Sequence, residues 1–326
     1  MSELEGHVQG LHHITVGVDG AQDDIDFLTG VMGQRFLKAT VLFDGRRPVY
    51  HFYYGDRIGR GGTIFTTFPW RKLGLTGRKG SGQIKRTVFS VPADSIDWWA
   101  GWLKEHGATS DGVGERFGQR YVQFEHPSGL DLEIIGAADD REPWTGDGVS
   151  EPGQAIRGLH SVTLGLLETQ NTKEFLELLG FRQTAEDGPT IRMEVGEGGA
   201  GRTVDLTAQP DVAPGTWTHA NGIHHHFAVA TDSEAHQLTI KDYLEGDGYV
   251  DVSDQKDRFY FKSIYVRSPG GVLIEVATPS NYLRDEPETE LGTHILYPPW
   301  LEHHRGEWDP QLEPIDVESP TTITAA

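Results

Sequence analysis

Four segments of the chain share one order of hydrophobic and polar positions. Three of them open with similar sequences, GLHHITVGVD from Gly10, GLHSVTLGLL from Gly158 and GIHHHFAVAT from Gly222. The fourth, KRTVFSVPADS from Lys85, shares a Phe-x-Val pattern with the segment from Gly222. Short runs of alternating faces are typical of β-strands. The chain therefore contains an internal repeat, and each copy is predicted to begin with a strand.

A helical pattern follows each of these strands. Apolar residues recur at helical spacing in four groups: Ile25, Leu28 and Met32; Ile96, Trp99 and Leu103; Phe175, Leu178 and Leu179; and Leu238, Tyr243 and Leu244. Short β-like runs come next, such as PVYHFYY and GGTIFTTFPW. The pattern predicts an α+β fold built from four βαβββ modules.

The segment between the second and third modules predicts that the modules are arranged in two paired halves. Residues 137–156 are acidic and rich in Gly and Pro, which is typical of a linker. We predict four regions along the chain: an N-terminal half with two modules at residues 1–140, a linker at 141–156, a C-terminal half with two modules at 157–280, and a tail at 281–326. In the tail we expect a short helix near Trp300 to Trp308 and poor order in the last dozen residues.

The net charge of the chain argues against some classes of partner. A formal charge of −21 over 326 residues opposes binding to nucleic acid or to an anionic membrane surface. One basic, glycine-rich run at residues 71–86 lacks interleaved aromatic residues for base stacking, so we interpret it as a solvated loop between modules. Whether this loop covers a site is left open. The sequence shows no signal peptide or membrane span, and a cytoplasmic protein is expected.

The absence of cysteine limits the chemistry of any metal site. Without cysteine there can be no disulfide, thiolate zinc site, iron–sulfur cluster or cysteine nucleophile. Any metal must therefore bind through nitrogen and oxygen atoms.

The second and fourth modules end with a glutamate at the same place. Glu133 and Glu275 each lie six residues after a proline, in HPSGLDLEIIG and SPGGVLIEVAT. Side chains alternate between the two faces of a strand, so the sequence also assigns each of them to a face. Glu275 shares its face with Leu273 and Ala277, opposite the more apolar face of the same strand.

The same alternation sorts the histidines. His13 and His226 are predicted to lie opposite the large apolar residues of their strands, whereas His12 and His225 are predicted to share the apolar faces. His224 is predicted to share the face of His226, although it lies at the start of the strand. We interpret it as incidental.

Comparison of the four modules selects one set of candidate metal ligands. The position of His13 and His226 is taken by Val88 in the second module and by Ser161 in the third. Pairing the first module with the fourth collects two histidines and one carboxylate, His13, His226 and Glu275. Two imidazoles and one carboxylate with open positions suit iron(II) oxygen chemistry. The alternative is that these are satisfied interior polar residues.

At these residues the sequence resembles the vicinal oxygen chelate superfamily, and within it the ring-cleaving dioxygenases that open chlorohydroquinones and hydroquinones. The likeness runs through DIDFLTGVMGQRF, FTTFPW, ERFGQRYVQFEHPSG and YVRSPGGVLIEVAT, which cover nearly the whole repeat region. The resemblance implies a glyoxalase-like α+β fold and one Fe(II) bound by His13, His226 and Glu275. It also implies that the partners are a small aromatic para-diol and O2. A homo-oligomer is left open.

The resemblance further implies outer-sphere or substrate-contacting roles for five residues: His12, Thr15, His225, Arg258 and Tyr265. A ligand imidazole needs a partner for its second nitrogen, and His12 and His225 are the neighbours of the two candidate ligands. Arg258 or Tyr265 could orient a substrate oxygen or donate a proton.

Three other functions share the fold. A catechol-type extradiol dioxygenase would keep the same reaction class. With Ser161 at the ligand position of the third module, however, a metal site formed by the third and fourth modules would lack one histidine ligand. A glyoxalase-like metal-dependent isomerase generally needs a fourth protein ligand, and the first module shows no carboxylate placed for it. A non-catalytic binding protein would need no metal triad. Fold alone does not choose among them.

Overall fold

The computed structural model describes residues 4–317, and they form four βαβββ modules. The first two modules contain β1 (Val8–Val18), α1 (Ala21–Asp26), β2 (Arg35–Val41), β3 (Tyr50–Gly55), β4 (Ile64–Pro69), β5 (Gln83–Val91), α2 (Ile96–Glu105), β6 (Ser110–Arg116), β7 (Gln119–Glu125) and β8 (Asp131–Gly136). The last two contain β9 (Gly158–Leu166), α3 (Gln170–Leu178), β10 (Arg182–Asp187), β11 (Thr190–Glu194), β12 (Thr203–Ala208), β13 (Ile223–Thr231), α4 (Glu234–Gly246), β14 (Lys256–Asp257), β15 (Lys262–Arg267) and β16 (Leu273–Ala277). The α+β prediction is confirmed.

Within residues 4–317 the strands form two eight-stranded sheets, and each sheet combines one module from each half of the sequence. The first sheet has the order β14-β15-β16-β13-β1-β4-β3-β2, and the second has the order β10-β11-β12-β9-β5-β8-β7-β6. The antiparallel pair β1–β13 joins the first module to the fourth, and the pair β5–β9 joins the second to the third. The predicted pairing of the first and fourth modules is therefore confirmed. The region boundaries at residues 140, 156 and 280 stay predictions.

The helices contribute their apolar faces to the core. In α2, Ile96, Trp99 and Leu103 are fully buried, as their spacing predicts. In α4 the predicted face is partly wrong, because Leu238 is 39% exposed and Ile240 is buried instead. None of the helices in the described part of the chain is long and apolar enough to cross a membrane.

The strand pair that joins β1 to β13 has three register shifts, and two of them are β-bulges beside the candidate ligands. On β1 the pairing passes from Leu11 to His13, which leaves His12 as an extra residue. On β13 the pairing passes from His226 to His224, which leaves His225 as an extra residue. A bulge bends the strand and re-aims side chains, so the strict alternation of faces is lost at both places.

The tail after residue 280 packs on the first module. Lys38 of β2 is buried, and its Nζ atom lies 2.6 Å from Asp285 Oδ1 in the tail. The short helix predicted near Trp300 to Trp308 is present as α5 (Arg305–Trp308), with a 3-10 turn on either side. The predicted poor order of the last dozen residues falls mostly on residues 318–326, which lie outside the described residues.

Candidate metal centre and substrate cavity

A cavity of about 260 Å³ opens on one face of the first sheet. Its walls include His51 from β3 near one edge of that sheet and Tyr265 from β15 near the other. Because side chains from strands this far apart line one cavity, the sheet curls around it. The bottom of the cavity is formed by the central strands β1, β13 and β16.

The structure brings His13, His226 and Glu275 together on these central strands. Ala228 pairs with His13 on one side and with Glu275 on the other, and its small side chain leaves room for both. His226 Nε2 lies 2.9 Å from Glu275 Oε2. His13 Nε2 lies 3.3 Å from the same oxygen and 3.3 Å from His226 Nε2. The three ligand atoms therefore converge on one point.

These three atoms fit a single metal ion. Ligand atoms that lie about 2.1 Å from an ion and at right angles around it are about 3.0 Å apart, close to the separations in this site. All three side chains are buried, and Glu275 Oε2 has no hydrogen-bond partner. Burial alone would raise the pKa of Glu275, but His13 and His226 lower it well below its usual range. Ser263 Oγ donates to Glu275 Oε1, so a bound cation would satisfy the remaining oxygen, Oε2, of this ionised carboxylate.

Each candidate ligand is held by the histidine that precedes it. His12 Nδ1 lies 2.9 Å from His13 Nδ1, and His225 Nδ1 lies 2.7 Å from His226 Nδ1. These contacts fix the ring orientation and direct the Nε2 atoms of both ligands toward Glu275. The pattern is typical of outer partners that orient metal-binding imidazoles.

The faces predicted for three histidines are wrong, because the β-bulges interrupt the alternation of side chains. His225 lines the cavity together with His226, although strict alternation predicts opposite faces. His12 lies beside His13 and against Phe261, with 5.0 Å between the ring centroids. His224 does not share the face of His226, because the bulge at His225 turns it to a separate pocket on the other side. The sequence contains no signal for either bulge.

The remaining predicted site residues also line the cavity. Thr15 Oγ1 lies 2.8 Å from Thr66 Oγ1 on the neighbouring strand. Arg258 Nε donates a hydrogen bond to Tyr265 Oη over 3.1 Å, and both side chains face the cavity. Tyr265 on β15 pairs with Glu275 on the neighbouring strand β16. The structure thus places a cation and a phenol beside the candidate metal centre.

Several cavity residues were missed in the sequence. His51 stacks on Phe68 with 4.0 Å between ring centroids, and His219 stacks on His225 with 4.1 Å between centroids. Tyr53 Oη lies 3.0 Å from His51 Nδ1. The alternation of PVYHFYY places His51 and Tyr53 on one face, which is a usable signal. His219 belongs to no strand, so its sequence context gives none.

In the second sheet, an arginine occupies the position that corresponds to the candidate ligand His226. Its register aligns Arg86, and not Val88, with His226, because Arg86 pairs with Thr163 as His226 pairs with Thr15. The Phe-x-Val alignment was therefore wrong by two residues. A shift of two residues preserves the faces of a strand, so the sequence pattern could not reveal it.

Arginine side chains neutralise Glu133, the glutamate of the second sheet that corresponds to Glu275. Arg116 Nη2 lies 2.7 Å from Glu133 Oε1, and Arg86 Nη1 lies 3.4 Å from Glu133 Oε2. Among residues 4–317, the group of His13, His226 and Glu275 is the one cluster that could hold a metal ion.

The basic loop at residues 71–86 does not line the cavity. It packs against the segment that precedes β13, where Gly77 N donates to Asn221 O and Asn221 N donates to Leu75 O. Most of the side chains from residue 71 to residue 80 are exposed, as predicted for a solvated loop. The prediction is wrong for residues 83–86, which begin strand β5 and include the buried Gln83 and Ile84. The loop therefore supports the segment that carries His219 and does not cover the candidate site.

Comparison with known proteins gives relatives along almost the whole chain. The chlorohydroquinone/hydroquinone 1,2-dioxygenase of Sphingobium indicum is 40% identical over 311 residues, which cover 94% of this chain and 97% of the relative. MhqO of Bacillus subtilis, whose name describes a ring-cleaving dioxygenase, is 34% identical over 311 residues, with the same coverage of 94% and 97%. No family model matches the chain.

Solved structures agree with these relatives. A crystal structure of a Bacillus subtilis protein described as a dioxygenase superposes with a TM-score of 0.88 at 34% identity, covering 96% of this chain and 99% of that one. Glyoxalase I from Zea mays has a TM-score of 0.61 at 15% identity over 82% of this chain and 92% of that one, which shows a shared fold alone. The chain therefore belongs to the ring-cleaving dioxygenases of the vicinal oxygen chelate superfamily, in the family that includes the chlorohydroquinone/hydroquinone 1,2-dioxygenase.

Proposed function

We propose that this chain is an Fe(II)-dependent, extradiol-type dioxygenase that opens hydroquinone or a chlorohydroquinone with O2. The observation that carries the proposal is the buried set of His13, His226 and Glu275 at the bottom of an aromatic-lined cavity. Fe(II) held by these residues would supply open coordination positions where the ring and O2 meet, and the electrons that reduce O2 would come from the ring. A set of three protein ligands leaves such positions free, whereas a glyoxalase-type isomerase generally needs a fourth ligand.

The chain itself positions the substrate and handles protons. Phe43, Phe68 and Phe261 line the cavity and give a planar aromatic ring apolar walls that exclude water. Thr15 adds a hydroxyl on the floor of the same cavity. These groups would hold the ring of the substrate against the ligand side of the site, where its orientation decides which bond opens.

Arg258 and Tyr265 form the polar wall beside the ligands. The Arg258 guanidinium can stabilise negative charge that develops on a substrate oxygen. Burial and the charge of Glu275 raise the pKa of Tyr265 above its usual value, so its hydroxyl stays protonated and can donate a hydrogen bond or a proton. The hydrogen bond from Arg258 Nε to Tyr265 Oη holds this hydroxyl in place.

Oxygen uptake by protein loaded anaerobically with Fe(II) tests the proposal. We expect hydroquinone and chlorohydroquinone to be consumed with a higher kcat/KM than catechol. Hydroquinone should give a muconic-semialdehyde-type product, and a chlorinated ring should give a maleylacetate-type product. Protein loaded with Zn(II) should bind the same substrates without consuming oxygen. A higher kcat/KM for catechol would contradict the para-diol assignment, and equal turnover with Zn(II) would contradict the iron assignment. The cytoplasmic location stays a prediction.

A further inference from the structure

Two histidines at the far end of the cavity have a buried nitrogen without a partner. His51 and His219 both line the cavity, and the Nε2 atom of each is buried and makes no hydrogen bond. Phe68 lies between them, with ring centroids 4.0 Å from His51 and 4.5 Å from His219. Neither histidine belongs to the group of candidate metal ligands. A buried polar atom without a partner is costly, so a ligand atom that pairs with it gains affinity.

The strand register places this pair at a distance from the candidate metal centre. Tyr53 pairs with Thr66, so the antiparallel β3–β4 ladder brings His51 level with Phe68. Phe68 pairs with Gly17, which lies four residues beyond His13 on β1. At about 3.3 Å per residue, this level is about 13 Å along the strand from the level of His13 and about 7 Å from that of Thr15, which pairs with His226. An aromatic ring can therefore lie between the two polar ends of the cavity.

Gly17 explains how His219 reaches this level. A Cβ atom on Gly17 would lie 1.8 Å from the carbonyl oxygen of Ala220, so only glycine allows the segment to cross the strand here. The neighbouring residue, His219, then stacks on His225, which is itself in contact with His226. His219 is thus separated from the candidate ligand by one intervening ring.

Both imidazoles can hydrogen-bond a ring hydroxyl. The Nε2 atom of His219 has no partner and can donate or accept according to the tautomer of the ring. His51 Nδ1 is engaged by Tyr53 Oη, and its Nε2 can donate or accept according to the tautomer. A phenolic hydroxyl, which donates once and accepts as well, satisfies either arrangement.

We infer that His51 and His219 bind the ring hydroxyl that points away from the candidate metal centre, and that this contact gives the enzyme its preference for para-diols. The inference rests on the proposed function for the identity of the ring. A 1,4-diol has hydroxyls at opposite ends and reaches both polar ends of the cavity. A 1,2-diol presents both hydroxyls to one end and leaves the two Nε2 atoms unpaired. Sites that are built to bind a hydroxyl discriminate strongly against analogues that lack it.

Anaerobic calorimetry on the Fe(II)-loaded protein tests the inference with two probes, hydroquinone and phenol. Phenol has the same ring and lacks only the second hydroxyl. We expect the wild-type protein to bind hydroquinone about five- to a hundred-fold more tightly than phenol. His51→Phe and His219→Phe keep an aromatic ring and remove the nitrogens. Each variant should lower this ratio several-fold while the affinity for phenol stays within about two-fold.

His224→Phe is the matched control, because His224 also has a buried, unpartnered Nε2 but lines a different pocket. It should keep the wild-type ratio. Iron content and thermal unfolding, measured on each variant, report whether the fold and the metal site are intact. His51→Gln, which retains a hydrogen-bonding group, should recover part of the lost ratio.

The outcomes separate the inference from the proposed function. A wild-type ratio near one, or variants of His51 and His219 that both keep the wild-type ratio, would overturn the inference even if hydroquinone is turned over. Oxygen uptake by the wild-type protein reports on the proposed function by itself. A ratio that falls in both variants supports the role of the two histidines even if oxygen uptake favours another diol.

Discussion

Glu133 and Glu275 occupy equivalent positions in the two sheets and have opposite surroundings. Glu275 faces two imidazoles, with His226 Nε2 2.9 Å from its Oε2. Glu133 faces guanidinium groups, with Arg116 Nη2 2.7 Å from its Oε1. Both carboxylates are buried. An arginine side chain is always charged and has no lone pair with which to bind a metal ion, whereas a neutral imidazole has one. Only the residues around Glu275 can therefore form a metal site.

Substitution of Glu275 should therefore abolish metal binding. We expect Glu275→Gln, His13→Ala and His226→Ala each to reduce the iron content from about one ion per chain to a small fraction, because each removes one of three ligands. Turnover should be lost in parallel, and the fold should remain. Metal analysis by mass spectrometry together with circular dichroism checks this prediction. Full iron content in all three variants would contradict the triad.

Substitution of Glu133 should have the opposite effect and serves as the control. Glu133→Gln should leave the iron content unchanged, because this carboxylate is already paired with arginine. It should lower the free energy of unfolding by about 3–5 kcal/mol, since Arg86 would lose its counterion and Arg116 would keep only the more distant Asp205, 3.9 Å away. Denaturant unfolding of the wild-type and variant proteins measures the difference. Loss of iron from this variant, with the fold intact, would show that metal binding in the first sheet depends on Glu133 in the second.

The histidines beside the ligands should affect metal affinity without being ligands. His225→Phe removes the Nδ1 atom that lies 2.7 Å from His226 Nδ1, so the ligand ring loses its fixed orientation. We expect the Kd for Fe(II) to rise about 10- to 100-fold. His160→Phe is the control, because His160 Nδ1 likewise contacts the next residue, Ser161 Oγ at 3.0 Å, but in the sheet without the candidate ligands. Competition with a chelator measures both affinities, and an equal loss in both variants would indicate a general effect on the fold.

Repetition and alternation along the strands were sufficient to predict that His13, His226 and Glu275 lie together. His13 and His226 have the same position in their modules, Glu275 has that of Glu133, and the period of two along a strand assigned all three to the right faces. The same period concealed the error in the second module. A shift by two residues leaves every face unchanged, so Val88 could be mistaken for the position that Arg86 occupies.

The rest of the site depends on features that a sequence pattern does not contain. The bulges turn His225 into the cavity and His224 away from it, and nothing in GIHHHFAVAT marks where the extra residue falls. His219 reaches the cavity only because Gly17 permits a close crossing of two segments that are distant in sequence. Such contacts are decided by tertiary packing and become visible only in the folded chain.

Tyr265 should contribute to turnover and not to metal binding. Tyr265→Phe removes only the hydroxyl that accepts from Arg258 Nε, and the ring that packs on His226 is retained. We expect iron content near the wild-type value and turnover lowered by about ten- to a thousand-fold, the range for loss of one proton donor or oriented hydrogen bond. Tyr282→Phe, at a buried residue that does not line the cavity, should retain wild-type turnover. Iron occupancy and single-turnover rate, measured on one sample, distinguish a catalytic role of Tyr265 from a structural one. An unaltered rate would remove Tyr265 from the site, and lost iron would make its role structural.

His224 should make the folded state sensitive to acid. Burial, with smaller effects from Lys79 and Arg86, lowers the pKa of His224 to about 3, whereas in the unfolded chain it is about 6.5. Between these values the unfolded chain binds a proton that the folded chain does not, so stability is full above about pH 6.5 and falls as the pH drops toward 3. His224→Leu should lower the slope of the unfolding free energy between pH 6 and pH 4 by about 1.4 kcal/mol per pH unit. Urea unfolding of both proteins across this range, at equal iron content, measures the two slopes. Parallel curves for the two proteins would show that the pKa of His224 is the same in the folded and unfolded chains.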